Sequence, residues 1–244
     1  MRALIVSDVH SNLEAFESVL KYAGENGGFD QLWSLGDLVG YGPDPAACIE
    51  LIRRHKGISV AGNHDLAAIG RLSIEAFNEH AAAANIWTAG QLNNDQVAFL
   101  GSLPLRLEME DFTLVHGSPR DPVWEYVVSA ASAVASFLHF DTNRCLVGHS
   151  HVPFICRPRE DGAAFIEFPL DTPIHLDSER LIINPGGVGQ PRDGDARASF
   201  AVFDSEQKAI IFHHRVQYDV AKTQEKMKER GLPKYLADRL EYGR

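Results

Sequence analysis

The chain opens on a short apolar run, Arg2 to Ser7, bounded by polar residues, which predicts a buried strand. Ser11 followed by Glu14 is a capping-box pattern, and Leu13, Phe16, Val19, Leu20 and Ala23 then recur at helical spacing. A helix is therefore expected over 12–24, ended by Gly24, Gly27 and Gly28. Gln31 to Leu35 is the next strand-like run, followed by a Gly- and Pro-containing loop through Pro45, a helix over 45–55 and a third strand at Ile58 to Ala61. Such a βαβαβ beginning builds a parallel sheet with right-handed crossovers, and it places the loops after the strands on one edge.

From Ser73 to Leu100 the pattern is helical, with an alanine-rich middle and no Pro. Beyond it the character changes. Leu105–Leu107, Phe112–His116, Arg144–Val147, Phe154–Cys156, Ala164–Phe168, Leu181–Asn184, Ser199–Phe203 and Ile210–His214 are short, β-rich and separated by turn residues, which predicts a second sheet. Val220 to Tyr242 reads as one or two surface helices around Gly231 and Pro233. Without repeats or linker composition, residues 1–244 are expected to form a single domain with two sheets.

A composition of 45% hydrophobic and 23% charged residues is that of a globular chain and excludes collagen-like, coiled-coil and disordered classes. No apolar run approaches the ~20 residues that span a bilayer. The apolar stretch from Ala3 is broken at once by Asp8 and His10, so no secretory signal is expected and the reading is cytoplasmic. Cys48, Cys145 and Cys156 form no C-x-x-C pair, which favours neither a disulfide framework nor a thiolate zinc site. A formal charge of −10 argues against an extended nucleic-acid surface or an anionic membrane partner. A phosphate handled by this chain must be attracted by something other than surface lysine.

Five segments supply the candidate chemistry: Asp8-Val9-His10, Gly36-Asp37, Gly62-Asn63-His64-Asp65, Val115-His116-Gly117 and Gly148-His149-Ser150-His151. Each follows a strand-like run, and residues just past strand carboxyl ends converge on the ligand crevice of a parallel α/β sheet. Asp8 and His10 are two apart, as are His149 and His151, and in extended backbone that spacing points both side chains to one side. Carboxylate, imidazole and amide oxygen together suit a divalent transition metal.

This ordered set, D-x-H, G-D, G-N-H-[D/E], H and G-H-x-H over positions 8–151, resembles the calcineurin-like metallophosphoesterases, in particular the small bacterial phosphatase and phosphodiesterase-type members. The resemblance implies an α/β fold, a four-layer α/β/β/α sandwich with two mixed sheets flanked by helices. It implies one metal on Asp8, His10, Asp37 and His151 and a second on Asp37, Asn63, His116 and His149, with Asp37 bridging. The two ions would be divalent transition metals, Mn foremost, with Fe, Ni, Co or Zn as alternatives. The implied activity is hydrolysis of a phosphomonoester or phosphodiester by in-line attack of a metal-bound hydroxide, with His64 binding or protonating the phosphate and leaving oxygen. The alternative is a metal-binding, non-catalytic scaffold of the same fold, as in a eukaryotic retromer subunit. That scaffold lacks the residue corresponding to His64, and this chain keeps it. A nuclease of the superfamily fits poorly with the acidic balance.

Three features stay outside the core set. Asp65 either orients His64 or caps a helix over 66–70, the cap being favoured. Asn184 to Asp193 (N-P-G-G-V-G-Q-P-R-D) is similar to an N-P-G-S-V-G-x-P-R stretch of related bacterial enzymes, with Gly187 in place of Ser. Its Arg192 either contacts substrate phosphate or points to solvent. The protein phosphatases of the superfamily carry an acidic residue and an Arg after the bridging Asp, whereas Asp37 is followed by Leu38-Val39-Gly40-Tyr41-Gly42-Pro43. The Asp that would orient the histidine is therefore absent from that position, and a dedicated protein phosphatase is disfavoured. Tyr41 either stacks on a base or fills its loop. His80, His139, His175, His213 and His214 fit no ligand spacing and are expected to be structural or on the surface.

Overall fold

The computed structural model describes residues 1–109, 111–176, 179–206 and 210–244. The first half runs β1 (Arg2–Val6), α1 (Leu13–Glu25), β2 (Gln31–Ser34), α2 (Pro45–Arg54), β3 (Ile58–Ser59), α3 (Asn63–Ala68), α4 (Glu79–Ala89) and α5 (Asn94–Ser102). The second half runs β4 (Arg106–Met109), β5 (Phe112–Val115), α6 (Ala130–Phe137), β6 (Arg144–Leu146), β7 (Phe154–Arg159), β8 (Gly162–Ile166), β9 (Ile174–His175), β10 (Leu181–Asn184), β11 (Ala198–Asp204), β12 (Ile210–Val216), α7 (Val220–Glu229) and α8 (Lys234–Asp238).

Two six-stranded mixed sheets result, in the orders β3-β2-β1-β11-β12-β9 and β4-β5-β6-β10-β7-β8. β1, β2 and β3 are parallel, as the βαβαβ pattern predicts. The later strands do not all join the second sheet, however. β11 crosses back to pair antiparallel with β1, Arg2 opposite Asp204 and Ile5 opposite Ala201, and carries β12 and β9 with it. The reason is burial: β11 is covered along its whole length, and it closes the open flank of an equally apolar β1.

Alternation along the strands fixes the layers. On β1, Leu4 and Val6 face Phe16 and Val19 of α1 and Ile49 and Ile52 of α2. Ala3 and Ile5 face the other way and meet Leu114, Leu146 and Ile183 of the second sheet. Ile182 and Cys145 turn to the far side, against Ala133 and Phe137 of α6. Helix, sheet, sheet, helix is therefore the order of layers. Cys145 is a small apolar residue of that last core, fully buried and free.

Three local expectations change and one helix is added. Asn12, not Ser11, caps α1, its Oδ1 accepting from the Ala15 N–H at 3.1 Å, because Ser11 is held at φ 55 by a hydrogen bond to Leu38 O. The helical stretch 73–100 breaks into a 3₁₀ turn, α4 and α5, because Asn78 and Asn93 each cap a new start. α6 was not legible in a segment of small residues; Ser129 starts it by accepting from Ser132 N–H. The C-terminal helices are not simply on the surface, since Met227, Leu236 and Leu240 are buried with Ala81 and Ala84 of α4 around Tyr41. Among the described residues no helix is long and apolar enough to cross a membrane.

His213 on β12 is fully buried, packed on Phe168 at 4.2 Å, and its Nε2–H donates to Asn184 O at 3.1 Å. Burial pushes its imidazole down to about 4. The unfolded ring takes a proton near pH ~6.5, so this contribution to stability is intact above that value and is lost as pH falls toward ~4, a total on the order of 3 kcal/mol. Urea denaturation at pH 7 and 4.5 is expected to show a shallower pH slope for His213→Gln than for the wild type. Equal slopes would mean the ring does not titrate this way.

Candidate metal centre

All five motif segments meet at one edge of the sandwich, but across both sheets. Asp8, His10, Asp37, Asn63 and His64 follow β1, β2 and β3 of the first sheet, whereas His116, His149 and His151 follow β5 and β6 of the second. The side chains converge for a reason other than extended spacing. Asp8, His10, Asp37, His149 and His151 all have positive φ, between 48 and 64°. Left-handed backbone is costly for residues with a Cβ and persists only where surroundings enforce it. Here Asp8 N–H donates to Gly36 O, His10 N–H to Asp37 O, Gly148 N–H to His116 O and Gly189 N–H to Asp8 O.

That last contact makes the 184–193 segment part of the frame. A Cβ at Gly189 would lie 1.9 Å from the Val9 carbonyl oxygen. Gly189→Ala is expected to destabilise the fold by about 1–3 kcal/mol, because backbone rather than a mobile side chain must give way. Chemical denaturation checks this, and an unchanged midpoint would contradict it.

The imidazoles are aimed by backbone carbonyls, which can only accept. His10 Nδ1 lies 3.2 Å from Val39 O, His151 Nδ1 2.6 Å from Gln190 O and His116 Nδ1 2.8 Å from Leu35 O. Each Nδ1 therefore carries its proton, and in a neutral ring Nε2 is bare. Bare nitrogens then face one another: His10 Nε2 is 3.2 Å from His151 Nε2, which is 3.3 Å from Asp8 Oδ1. On the other side His116 Nε2 is 3.1 Å from both Asn63 Oδ1 and His149 Nδ1. Asp37 Oδ2 lies between the two groups, 3.6 Å from His10 Nε2 and 3.3 Å from His116 Nε2. Its Oδ1 is occupied by the His64 N–H at 2.9 Å.

Asp8/His10/His151, Asp37/His116/His149 and His10/Asp37/His64 each bring potential ligand atoms within 4.8 Å of one another, all buried. Acceptors crowded without enough protons are what a cation relieves, and the donor set fits one: Asp8 Oδ1 and His149 Nε2 have no hydrogen-bond partner among the described residues. Burial holds the His10 and His151 rings well below the usual imidazole range, and takes His149 down to about 3 and His64 to about 4. Burial pushes the Asp8 carboxyl up to about 6. Burial opposes charge on Asp37 too, but His116, His64 and His10 outweigh it and hold that carboxyl well below its ordinary range. His116 answers in kind, raised to about 9 by Asp37 against the opposing effect of burial.

The peripheral residues fall as follows. α3 begins at Asn63, so Asp65 is its third residue rather than the cap of a later helix; its carboxylate accepts from Gly62 N–H at 3.0 Å and Val39 N–H at 3.1 Å, tying α3 to the loop after Asp37. Burial pushes the Asp65 carboxyl up to about 7. His64 finds a different partner: its Nδ1 lies 3.2 Å from Asn85 Oδ1 on α4. Tyr41 fills its loop, with ring centres 4.4 Å from His10 and 4.3 Å from His64. Arg192 is half-buried, with Nη2 3.0 Å from Gln190 Oε1 and 3.4 Å from the Tyr41 hydroxyl. A cavity of about 110 Å³ opens over the centre, lined by Asp37, Asn63, His64, His149, His151 and Arg192 and walled by Phe77, Trp124 and Tyr126. Asn85 and these three aromatics carry no signal in the sequence, because they sit in a helix and two loops with no motif of their own. Tyr126 stacks on His149 at 3.8 Å.

Two mixed sheets between helical layers, with histidine, carboxylate and amide donors gathered at their shared edge, define a phosphoric ester hydrolase. The chain belongs to the calcineurin-like phosphoesterase superfamily, whose domain model matches residues 1–208. It is similar to a metallophosphoesterase from Sphaerobacter thermophilus of known crystal structure, with a TM-score of 0.90 and 48% identity over 100% of this chain and 99% of that one. It is 39% identical to an uncharacterized protein of Methanocaldococcus jannaschii over 98% of this chain and 97% of that one. A symmetrical bis(5'-nucleosyl)-tetraphosphatase of Glaesserella parasuis shares 30% identity over 54% of this chain, which corresponds to half of that protein's length.

Proposed function

We propose that the protein is a dinuclear metal-dependent phosphoesterase acting on a small phosphomonoester or phosphodiester. The observation that carries this reading is the pair of buried donor groups joined through Asp37 Oδ2. Asp8, His10, Asp37 and His151 would hold one ion, and Asp37, Asn63, His116 and His149 the other. When bound, two divalent ions acidify a water and clamp the phosphoryl oxygens. The Val39, Leu35 and Gln190 carbonyls keep three imidazoles aimed inward before any ion arrives. His64 lines the cavity without belonging to either four-residue set, and exchanges a proton with the ester oxygen that leaves. Arg192, on the cavity wall, offers a guanidinium fork to the phosphate.

Imidazole, carboxylate and amide donors suit Mn, Fe, Ni, Co or Zn, and affinity order alone does not choose among them; Mn is the ion we put first. A cavity of about 110 Å³ on a chain of charge −10 favours a small ester over a polyanionic polymer. We take residues 1–244 as one such domain, because the C-terminal helices pack on Tyr41 beside the centre. The test is a panel of aryl phosphomonoesters, aryl phosphodiesters and, prompted by the tetraphosphatase relatives, a dinucleoside tetraphosphate, each assayed with the metal-free protein and with each ion. Metal-dependent hydrolysis of at least one class is expected. Tight metal binding with no hydrolysis of any would return the scaffold reading.

A further inference from the structure

Resting on the role just given to His64, we propose that Asn85 is the positioning residue of that histidine, a task the sequence leaves unfilled after Asp37. His64 and Asn85 are both buried, at 3% and 1% exposure, and Asn85 Oδ1 is the hydrogen-bond partner found for the ring among the described residues. The ring is packed by Tyr41, by Phe77 at 5.0 Å and by His10 at 4.9 Å, so its plane is set by contact while its rotation about that plane is set by one polar bond. The loop after Asp37 leaves room for it: Gly40 has φ 89, and a Cβ there would lie 2.5 Å from His64 Nδ1.

An amide oxygen accepts from Nδ1–H whether the ring is neutral or protonated, so the bond survives proton exchange at Nε2. The imidazolium gives its Nε2 proton to the leaving oxygen and becomes the Nδ1–H tautomer, still bonded to Asn85, whose bare Nε2 takes a proton from solvent before the next turnover. A carboxylate would hold Nδ1–H in the same way but would add another buried acid beside Asp8, Asp37 and Asp65; the amide orients without adding charge. Asn is a mediocre residue for the middle of a helix, and a buried one there is explained by this bond rather than by propensity.

The experiment uses the full chain, reconstituted with metal, on aryl phosphates whose leaving groups span good to poor. Asn85→Leu is expected to lower kcat roughly tenfold or more on poor leaving groups, part of the 10²–10⁴ a positioned acid contributes, with little change on a dinitrophenyl ester. KM and metal content should hold, and Asn85→Asp, which keeps the acceptor oxygen, should restore most of the loss. A loss equal across the panel, a change confined to KM, or no change would overturn the proposal. His64→Ala must show the same selectivity; without it the reading of His64 fails, whereas selectivity in His64→Ala but not in Asn85→Leu overturns Asn85 alone. If Asn85→Leu does not fold, long-range ¹H–¹⁵N correlations of the metal-free wild type decide, an Nδ1–H tautomer for His64 supporting the proposal and an Nε2–H tautomer overturning it.

Discussion

Asp37→Asn is expected to lower turnover by on the order of 10³-fold or more, equivalent to about 4 kcal/mol of barrier, and to strip metal from the purified protein. Oδ1 accepts the His64 N–H, so an amide at this position must keep its oxygen there. Its NH₂ is then forced into the place of Oδ2, between His10 Nε2 and His116 Nε2. A pair of donors replaces the anionic oxygen both donor groups share, and the charge that neutral imidazoles cannot supply is gone. Metal analysis after gel filtration, paired with turnover on an aryl phosphate, reads both effects. Full metal occupancy with wild-type turnover would remove Asp37 from the centre.

His64→Ala is expected to cost on the order of 10²–10³-fold in kcat with metal content unchanged, since in the role proposed for it the ring is a proton donor to the leaving oxygen and not a ligand. The geometry makes this a sharp comparison. His64 also lies within 4.8 Å of potential ligand atoms on His10 and Asp37, close enough to be a ligand itself. Loss of an ion from the variant would assign it that role. The Asn85 contact at Nδ1 leaves only Nε2 for either task.

The sequence carried the parallel β1–β3 unit, a helical C-terminus and the motifs that reach the centre, because each rests on local periodicity or on residue types at short spacing. Two matters were not local. β11 joins β1 across nearly 200 residues, and nothing in Ala198–Asp204 distinguishes a strand bound for one sheet from a strand bound for the other. The convergence of Asp8 with His10 and of His149 with His151 was expected from extended backbone. Left-handed turns produce it instead, and these are enforced by hydrogen bonds to the carbonyls of Gly36, Asp37 and His116 and from the Gly189 N–H, segments far apart in the chain. Asn85 was invisible for the same reason: one amide in an alanine-rich helix gains meaning only when α4 is laid beside α3. Asp65 shows the opposite case, where a local cap was foreseen but its third-residue position and its hold on Val39 were not.

The pairing of β1 with β11 also orders events during synthesis. Every proposed ligand has been translated by His151, yet the strand that presents Asp8 and His10 lacks one neighbour until Asp204 is made, and Tyr41 lacks its cover until Leu240. Contacts this distant in sequence form late and slowly. A nascent or truncated chain can thus possess every proposed ligand side chain and still be unable to hold them in register.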